Sequence, residues 1–345
     1  MPSQTHVSVP SGLAQWLVHQ RYDPACLHPL SGDAGFRRYF RVTGSAPPVM
    51  AVYAPPETEN TFRYLEVSTL LQAGGVRVPA VLAAERDKGY LLVEDCGDRL
   101  LLPTLTPASV GRYYGEAMAL LLRLQQIAVP AKQLPVYDAQ KLWDEMALFP
   151  IWCIRDLLDL PFGRYEQQMV EQVLDWLVDS AVSQPSVLVH RDFHSRNLML
   201  SDDELITIDF QDAVVGPMTY DLVSLLKDCY VQWPPASVEA WALSYRRLCL
   251  EAGLPAGADD ATFLRWFDLM GLQRHIKVLG VFARLWLRDG KSGYLNDLPL
   301  VFHYVQTVAA RYPQSAELAE WLAVRVLPAF ERQAWWRPLA GTVSA

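Results

Sequence analysis

Residues 187–213 read VLVHRDFHSRNLMLSDDELITIDFQDA, and the organisation of the whole chain turns on them. Two short apolar runs, Val187–Val189 and Leu205–Ile208, frame polar loops, the pattern of strands that deliver side chains at their ends. In the first loop His190-Arg191-Asp192 is followed by four residues and Asn197. In the second, Asp209 closes an apolar run twelve residues after that asparagine, where a strand end aims its carboxylate outward. Asn197 and Asp209 are oxygen donors of the hard kind that Mg²⁺ prefers, and Asp192 is a further carboxylate of the kind that orients a hydroxyl group.

On the N-terminal side of this segment the chain changes period several times. SGLAQWLVHQRY (11–22) predicts a helix with Ser11 as N-cap and Leu13, Trp16 and Leu17 on one face. LHPLSG, RRYFRV and PVMAVYAP, within residues 27–55, read as three antiparallel strands broken by Gly and Pro. A helix over 60–73 ends at Gly74-Gly75, and PAVLAA and GYLLVED add two strands across the polar turn ERDK. From Pro107 onward the spacing is helical over 107–126, 138–148, 164–183, 219–229, 237–252, 260–287, 297–311 and 314–328, with the quoted segment as the interruption. The plan is α+β and two-lobed: a small antiparallel-sheet N-lobe over 1–95 and a large, mostly helical C-lobe over 96–345 that carries the quoted segment. A cleft between such lobes is where a ligand is expected.

Composition narrows the partners. A chain of 345 residues that is 51% hydrophobic and 20% charged has ample apolar surface to bury. No apolar run reaches the roughly 20 residues that span a bilayer, and the N-terminus lacks a secretory pattern, so the expectation is a cytoplasmic protein with no membrane partner. The net charge of −8 argues against nucleic acid. Five scattered cysteines form no Cys-x-x-Cys pair and read as reduced, mostly buried thiols. Oligomeric state leaves no trace in the sequence.

HRDFHSRN (190–197) matches the catalytic-loop pattern His-Arg-Asp, four residues, Asn. Phosphoryl transfer suits these residue types, because it asks the protein to hold an acceptor in line, neutralise phosphates and orient a hydroxyl, with little covalent work. Asp192 is the candidate for the hydroxyl, and Asn197 and Asp209 for Mg²⁺. His190 reads as a packed prop of the loop. His190 and His194 also form His-x-x-x-His, but the Glu beside the first His that a zinc protease needs is absent. His194 stands two places after Asp192, where protein kinases carry a lysine that meets the transferring phosphate, and joins Asp192 as a catalytic candidate.

Together with DFQDAVVGPMTYDLVSLL (209–226), SGDAGFRRYFRV (31–42) and GLQRHIKVLGVFARL (271–285), this segment resembles the aminoglycoside-phosphotransferase superfamily of protein-kinase-like enzymes. Within it the chain is most similar to the bacterial kinases that phosphorylate the anomeric hydroxyl of N-acetylmuramate and N-acetylglucosamine in cell-wall recycling. The resemblance runs from about Leu17 to Phe330 and implies a two-lobed kinase fold, ATP with Mg²⁺, and an amino-sugar acceptor. It implies that SGDAGFRRYF covers the ATP phosphates, with Gly32, Ala34, Gly35, Phe36 and Arg38 as nucleotide contacts, and that Glu94 to Gly97 is the hinge, with Glu94 and Cys96 beside the adenine. Arg196, Gln211, Asp212 and Arg274 are the candidate acceptor contacts. Asp221 corresponds to the family's Asp that steadies its helix and the catalytic loop. Other acceptors remain open alternatives: an aminoglycoside, a choline-like alcohol, a hydroxyl amino acid, or none at all in a nucleotide-binding scaffold.

One departure stands out. Kinases hold the nucleotide phosphates with a lysine on the third strand, paired to a Glu on the next helix. Here the first lysine is Lys88, VMAVYA contains no cation, and Glu66 lacks that partner. Arg37, Arg38 and Arg41 are the substitutes within reach. Strand alternation puts Arg37 and Arg41 on one face and Arg38 on the other, and the residues alone do not choose among them.

Overall fold

The computed structural model describes residues 9–30, 36–201 and 204–339. The chain divides into two compact units, one of Met1–Thr104 with Arg196–Asp212, the other of Leu105–Ser195 with Ala213–Ala345.

In the first unit α1 (Ser11–His19) is followed by β1 (Leu27–Pro29), β2 (Arg38–Val42), β3 (Val49–Tyr53), α2 (Thr61–Ala73), β4 (Val81–Glu85) and β5 (Tyr90–Glu94). The strands form one antiparallel sheet in the order β1-β2-β3-β5-β4, the expected five strands with one helix after the third. Alternation makes its inner face. Phe40 and Val42 of β2 and Val49 and Ala51 of β3 are buried against Leu13, Trp16 and Leu17 of α1. Each Val, Leu and Phe among them contributes roughly 1.5–3 kcal/mol on burial, which holds a nine-residue helix that no side chain caps. Ser11 was expected as that cap; Pro10 occupies the position and Ser11 is the first helical residue. Asn60 does cap α2, accepting from the Arg63 N–H at 2.9 Å.

The second unit runs through α3 (Val110–Gln125), α4 (Ala139–Met146), a π-helical stretch Phe149–Leu157, α5 (Arg164–Val182) and β6 (Ser186–Val189). The chain then enters the first unit as a hairpin, β7 (Leu198–Ser201) and β8 (Glu204–Thr207), and returns as β9 (Val214–Pro217), which pairs antiparallel with β6. After it come α6 (Tyr220–Leu226), α7 (Pro235–Glu251), α8 (Asp260–Asp289), α9 (Leu298–Ala309), α10 (Ala316–Trp321) and α11 (Leu327–Glu331). The helix expected over 314–328 is split, because α10 passes through a π-helical turn at Leu322–Val326 into α11. Pro328 has no N–H to give, so the hydrogen-bond ladder shifts its register just before it. The 30-residue α8 is the spine of this unit and is buried along most of its length. Gly280 lets it approach the start of the π-helical stretch: a β-carbon there would stand 2.5 Å from the Leu148 carbonyl carbon.

Candidate active site

In the second unit β6 ends at Val189 and hands His190-Arg191-Asp192 to a loop. Arg191 has φ +78°, a left-handed conformation that a β-carbon makes costly. Its peptide is gripped from both sides. Asp221, in the first turn of α6, accepts the N–H of His190 at 2.6 Å and of Arg191 at 2.9 Å. Arg274, on α8, donates from Nη1 to the Arg191 carbonyl at 2.7 Å and to the Tyr220 hydroxyl at 3.1 Å. His190 is fully buried, edge-on to Phe193, and its Nδ1 accepts from the Asp192 N–H at 3.3 Å, which makes it a prop. The far end of the loop is fixed by Asp228, which accepts from both the Ser195 N–H and its hydroxyl.

Asp192 keeps 43% of its side chain exposed, with Arg274 Nη2 3.6 Å from its Oδ1. Burial of the loop opposes its charge, but Arg274, then His194, Lys277 and Arg191, outweigh that and hold the carboxyl well below the usual carboxylate range. His194 stands edge-on to Tyr230, ring centroids 5.3 Å apart. Behind Asp192 lies a buried charge cluster: Glu145 of α4 pairs with Arg191 and with Lys277, the latter at 2.8 Å, and accepts from the Tyr137 hydroxyl. Burial raises the Asp221 carboxyl to about 7, against the two backbone donors and Arg274, which favour its anion.

The first unit holds the other polar group. The register Leu198↔Thr207 sets Asn197 opposite Ile208, whose N–H donates to the Asn197 carbonyl at 3.0 Å, so Asn197 and Asp209 emerge at the same end of the hairpin. Asp209 has φ +61°, the second left-handed non-glycine at a functional position. Gln211 Nε2 donates to Asp209 Oδ1 at 2.8 Å and lies 3.5 Å from Asp212, while its Oε1 is buried with no hydrogen-bond partner. Among the described residues no three or more His, Cys, Asp or Glu side chains gather to hold a metal. Asn197 and Asp209 bring one amide and one carboxylate, both hard oxygen donors, to that end of the hairpin.

The profile of the phosphotransferase enzyme family matches residues 27–258. The chain belongs to that family. Relatives named N-acetylmuramate/N-acetylglucosamine kinase are 42% identical in Pseudomonas aeruginosa, over 87% of this chain and 88% of the relative, and 42% identical in Pseudomonas putida, over 85% and 86%. Another of that name, from Neisseria meningitidis, is 38% identical over 84% of this chain and 87% of its own. Among solved structures, an ADP-bound aminoglycoside phosphotransferase superposes with a TM-score of 0.60 at 16% identity, over 87% of this chain and 98% of the other. A Plasmodium vivax ethanolamine kinase gives 0.61 at 12% identity, over 84% and 83%. These distant likenesses show the two-lobed kinase fold.

The remaining sequence-derived residues of this phosphotransferase sort by what they touch. Gly32, Ala34 and Gly35 lie outside the described residues. Phe36 is exposed and its N–H donates to Glu59 at 3.3 Å. The Glu94 carboxylate is engaged by Arg77 and by the Ala80 N–H at 3.1 Å, and its own N–H meets Ala80 O at 2.8 Å. Cys96 packs with Met199 and Ile206, and burial pushes its thiol up to about 12. Arg196 is half-buried and Asp212 exposed. Arg274, expected among the acceptor contacts, is buried, with Nη1 shared between Arg191 and Tyr220 and Nη2 3.6 Å from Asp192. Glu66 pairs with Arg63 at 2.8 Å. Sequence reasoning missed Glu59, which pairs with Arg37 in the first unit, and Glu145 and Tyr137, which meet each other beside Arg191 in the second; no motif marks them.

Proposed function

We propose that this phosphotransferase moves the γ-phosphoryl group of ATP to the anomeric hydroxyl of N-acetylmuramate and N-acetylglucosamine, as a step in the recycling of cell-wall sugars. The observation that carries the reading is 42% identity over 87% of the chain to a kinase named for both sugars, joined to a catalytic loop whose carboxylate is kept ionised. In this reading Asp192 accepts a hydrogen bond from the acceptor hydroxyl and aligns it. A carboxylate held so far below its usual range is a weak base, so it orients the hydroxyl and receives its proton late, when the oxygen has already lost most of its charge to phosphorus. An anomeric hydroxyl, more acidic than an ordinary alcohol, tolerates that. His194 sits beside Asp192 in the same loop and faces the transferring group.

Asn197 and Asp209 would hold Mg²⁺, which, when bound, screens the phosphate oxygens. Gln211 offers the acceptor a buried carbonyl oxygen that has no partner of its own, and Asp212 and Arg196 complete the acceptor contacts. Arg274 serves acceptor chemistry through Asp192 and the loop. Glu94 and Cys96 border the adenine, and Phe36 and Arg38 the phosphates. Purified protein given Mg-ATP and each sugar tests this: turnover of both is expected, with loss of nucleotide binding and turnover together in Asp209→Ala. Transfer to neither sugar, with transfer to an aminoglycoside or an amino alcohol, would reassign the acceptor.

A further inference from the structure

The third strand carries no cation, since β3 reads Val49–Tyr53 and the first lysine of the chain is Lys88. Three arginines stood open as its replacement, and their surroundings differ. Arg41 is bound on all sides: Nη1 donates to Asp98 at 2.9 Å, and Nη2 to Asp98 at 2.8 Å and to Asp95 at 3.0 Å. Arg38 is exposed and lies over the Tyr53 ring, 5.9 Å from its centroid. Arg37 differs from both. Its side chain is 8% exposed, with Nη2 2.8 Å from Glu59 and Nη1 3.8 Å from Asp209 Oδ1. Tyr39 hydrogen-bonds to it, and the guanidinium stands 5.5 Å from the centre of the Tyr64 ring. Glu59 is itself steadied, since its other oxygen accepts the Phe36 N–H.

We propose that Arg37 is the cation that binds the nucleotide phosphates in this enzyme, held in place by Glu59, one residue ahead of the Asn60 cap of α2, instead of by a glutamate within that helix. The proposal rests on the ATP-dependent reading above. Its physical content is that a buried guanidinium, fixed by a carboxylate, a phenol and an aromatic face, presents a rigid fork of donors beside Asp209, and a fork suits phosphate oxygens. Burial opposes the charge of Arg37, but Tyr39, Glu59 and Asp209 more than restore it. One cation against two carboxylates leaves the group a net unit negative, which still favours a divalent ion at Asp209. A lysine on β3 is then unnecessary, and Glu66 is left to pair with Arg63.

Titration calorimetry with Mg-ADP and with adenosine, neither needing a sugar acceptor, tests the assignment in the full chain. Arg37→Ala should weaken Mg-ADP about tenfold or more and leave adenosine unchanged, because adenosine has no phosphate to lose. Arg37→Lys should recover part of the loss, and Glu59→Gln should weaken Mg-ADP alone. Thermal melting without ligand checks that each variant is folded. Unchanged Mg-ADP affinity in folded Arg37→Ala would overturn the role of Arg37, and so would equal weakening of both ligands, the mark of a residue that only shapes the fold. Wild-type protein that bound neither ligand would overturn the nucleotide reading itself and Arg37 with it.

Discussion

Arg191 and Asp209 occupy left-handed backbone regions without being glycine, at a cost of order 1–3 kcal/mol each, and both belong to the segment quoted first. The grip on Arg191 shows what sustains such a conformation: Asp221 takes two N–H groups on one side and Arg274 supplies a donor to the carbonyl on the other. Asp192 inherits its position from that grip. Asp192→Asn is therefore expected to lower kcat by about 10²- to 10⁴-fold with Mg-ADP affinity unchanged, read by steady-state kinetics beside calorimetry; retention of most turnover would remove Asp192 from the chemistry. Arg274→Met should also lower kcat, by about tenfold or more, while leaving Mg-ADP binding intact, because it loosens the loop and takes a cation from Asp192. A pure KM effect for one sugar would make Arg274 a direct sugar contact instead. At this scale the sequence was informative where spacing is local. The motif spacing of Asp192, Asn197 and Asp209 is readable because one loop and one hairpin carry them, whereas Glu145 and Glu59 come from distant segments and leave no local mark.

Elements followed their periodicity where the pattern was long. The five strands of the first sheet and the helix α8 lie where alternation and 3.6-residue spacing put them. What escaped was short or irregular. Leu198–Ser201 and Val214–Pro217 are strands of four residues each, too short to show alternation, and they exist through pairing with β8 and β6. The stretch Phe149–Leu157 has Pro150 in its first turn, where a missing N–H costs little, yet a proline there reads as a break. Its packing yields a prediction. Gly280→Ala places a methyl 2.5 Å from the Leu148 carbonyl carbon and 2.6 Å from the Phe149 nitrogen, backbone atoms that cannot rotate away. A loss of about 1–3 kcal/mol in chemical denaturation is expected, despite the better helix propensity of alanine. Unchanged or increased stability would mean that α8 and this stretch separate without penalty.

Across the whole molecule, the charge of −8 argued against nucleic acid without naming a partner, and the acceptor came from resemblance; among the described residues no helix is long and apolar enough to cross a membrane. Buried titratable groups set how the fold responds to acid. His275, stacked on Tyr304 and hydrogen-bonded to the Lys227 carbonyl at 2.9 Å, is held neutral by burial first, then by Lys227 and Arg274, at about 3. In the unfolded chain it titrates near 6.5, so between these values the unfolded state binds more protons and stability falls as pH falls. From pH 7 to pH 5 the wild type should lose about 2 kcal/mol more than His275→Gln in urea titrations. Parallel losses would show that His275 takes up its proton without unfolding.

The identity of the phosphorylated oxygen bears most directly on the proposed activity. Phosphorus–proton correlation NMR on the products formed from N-acetylmuramate and N-acetylglucosamine should, for both sugars, couple the new phosphate to the anomeric proton. Coupling to the C4 or C6 protons, or no phosphorylated product from either sugar under conditions where the protein binds Mg-ADP, would contradict the assignment of this phosphotransferase as an anomeric amino-sugar kinase.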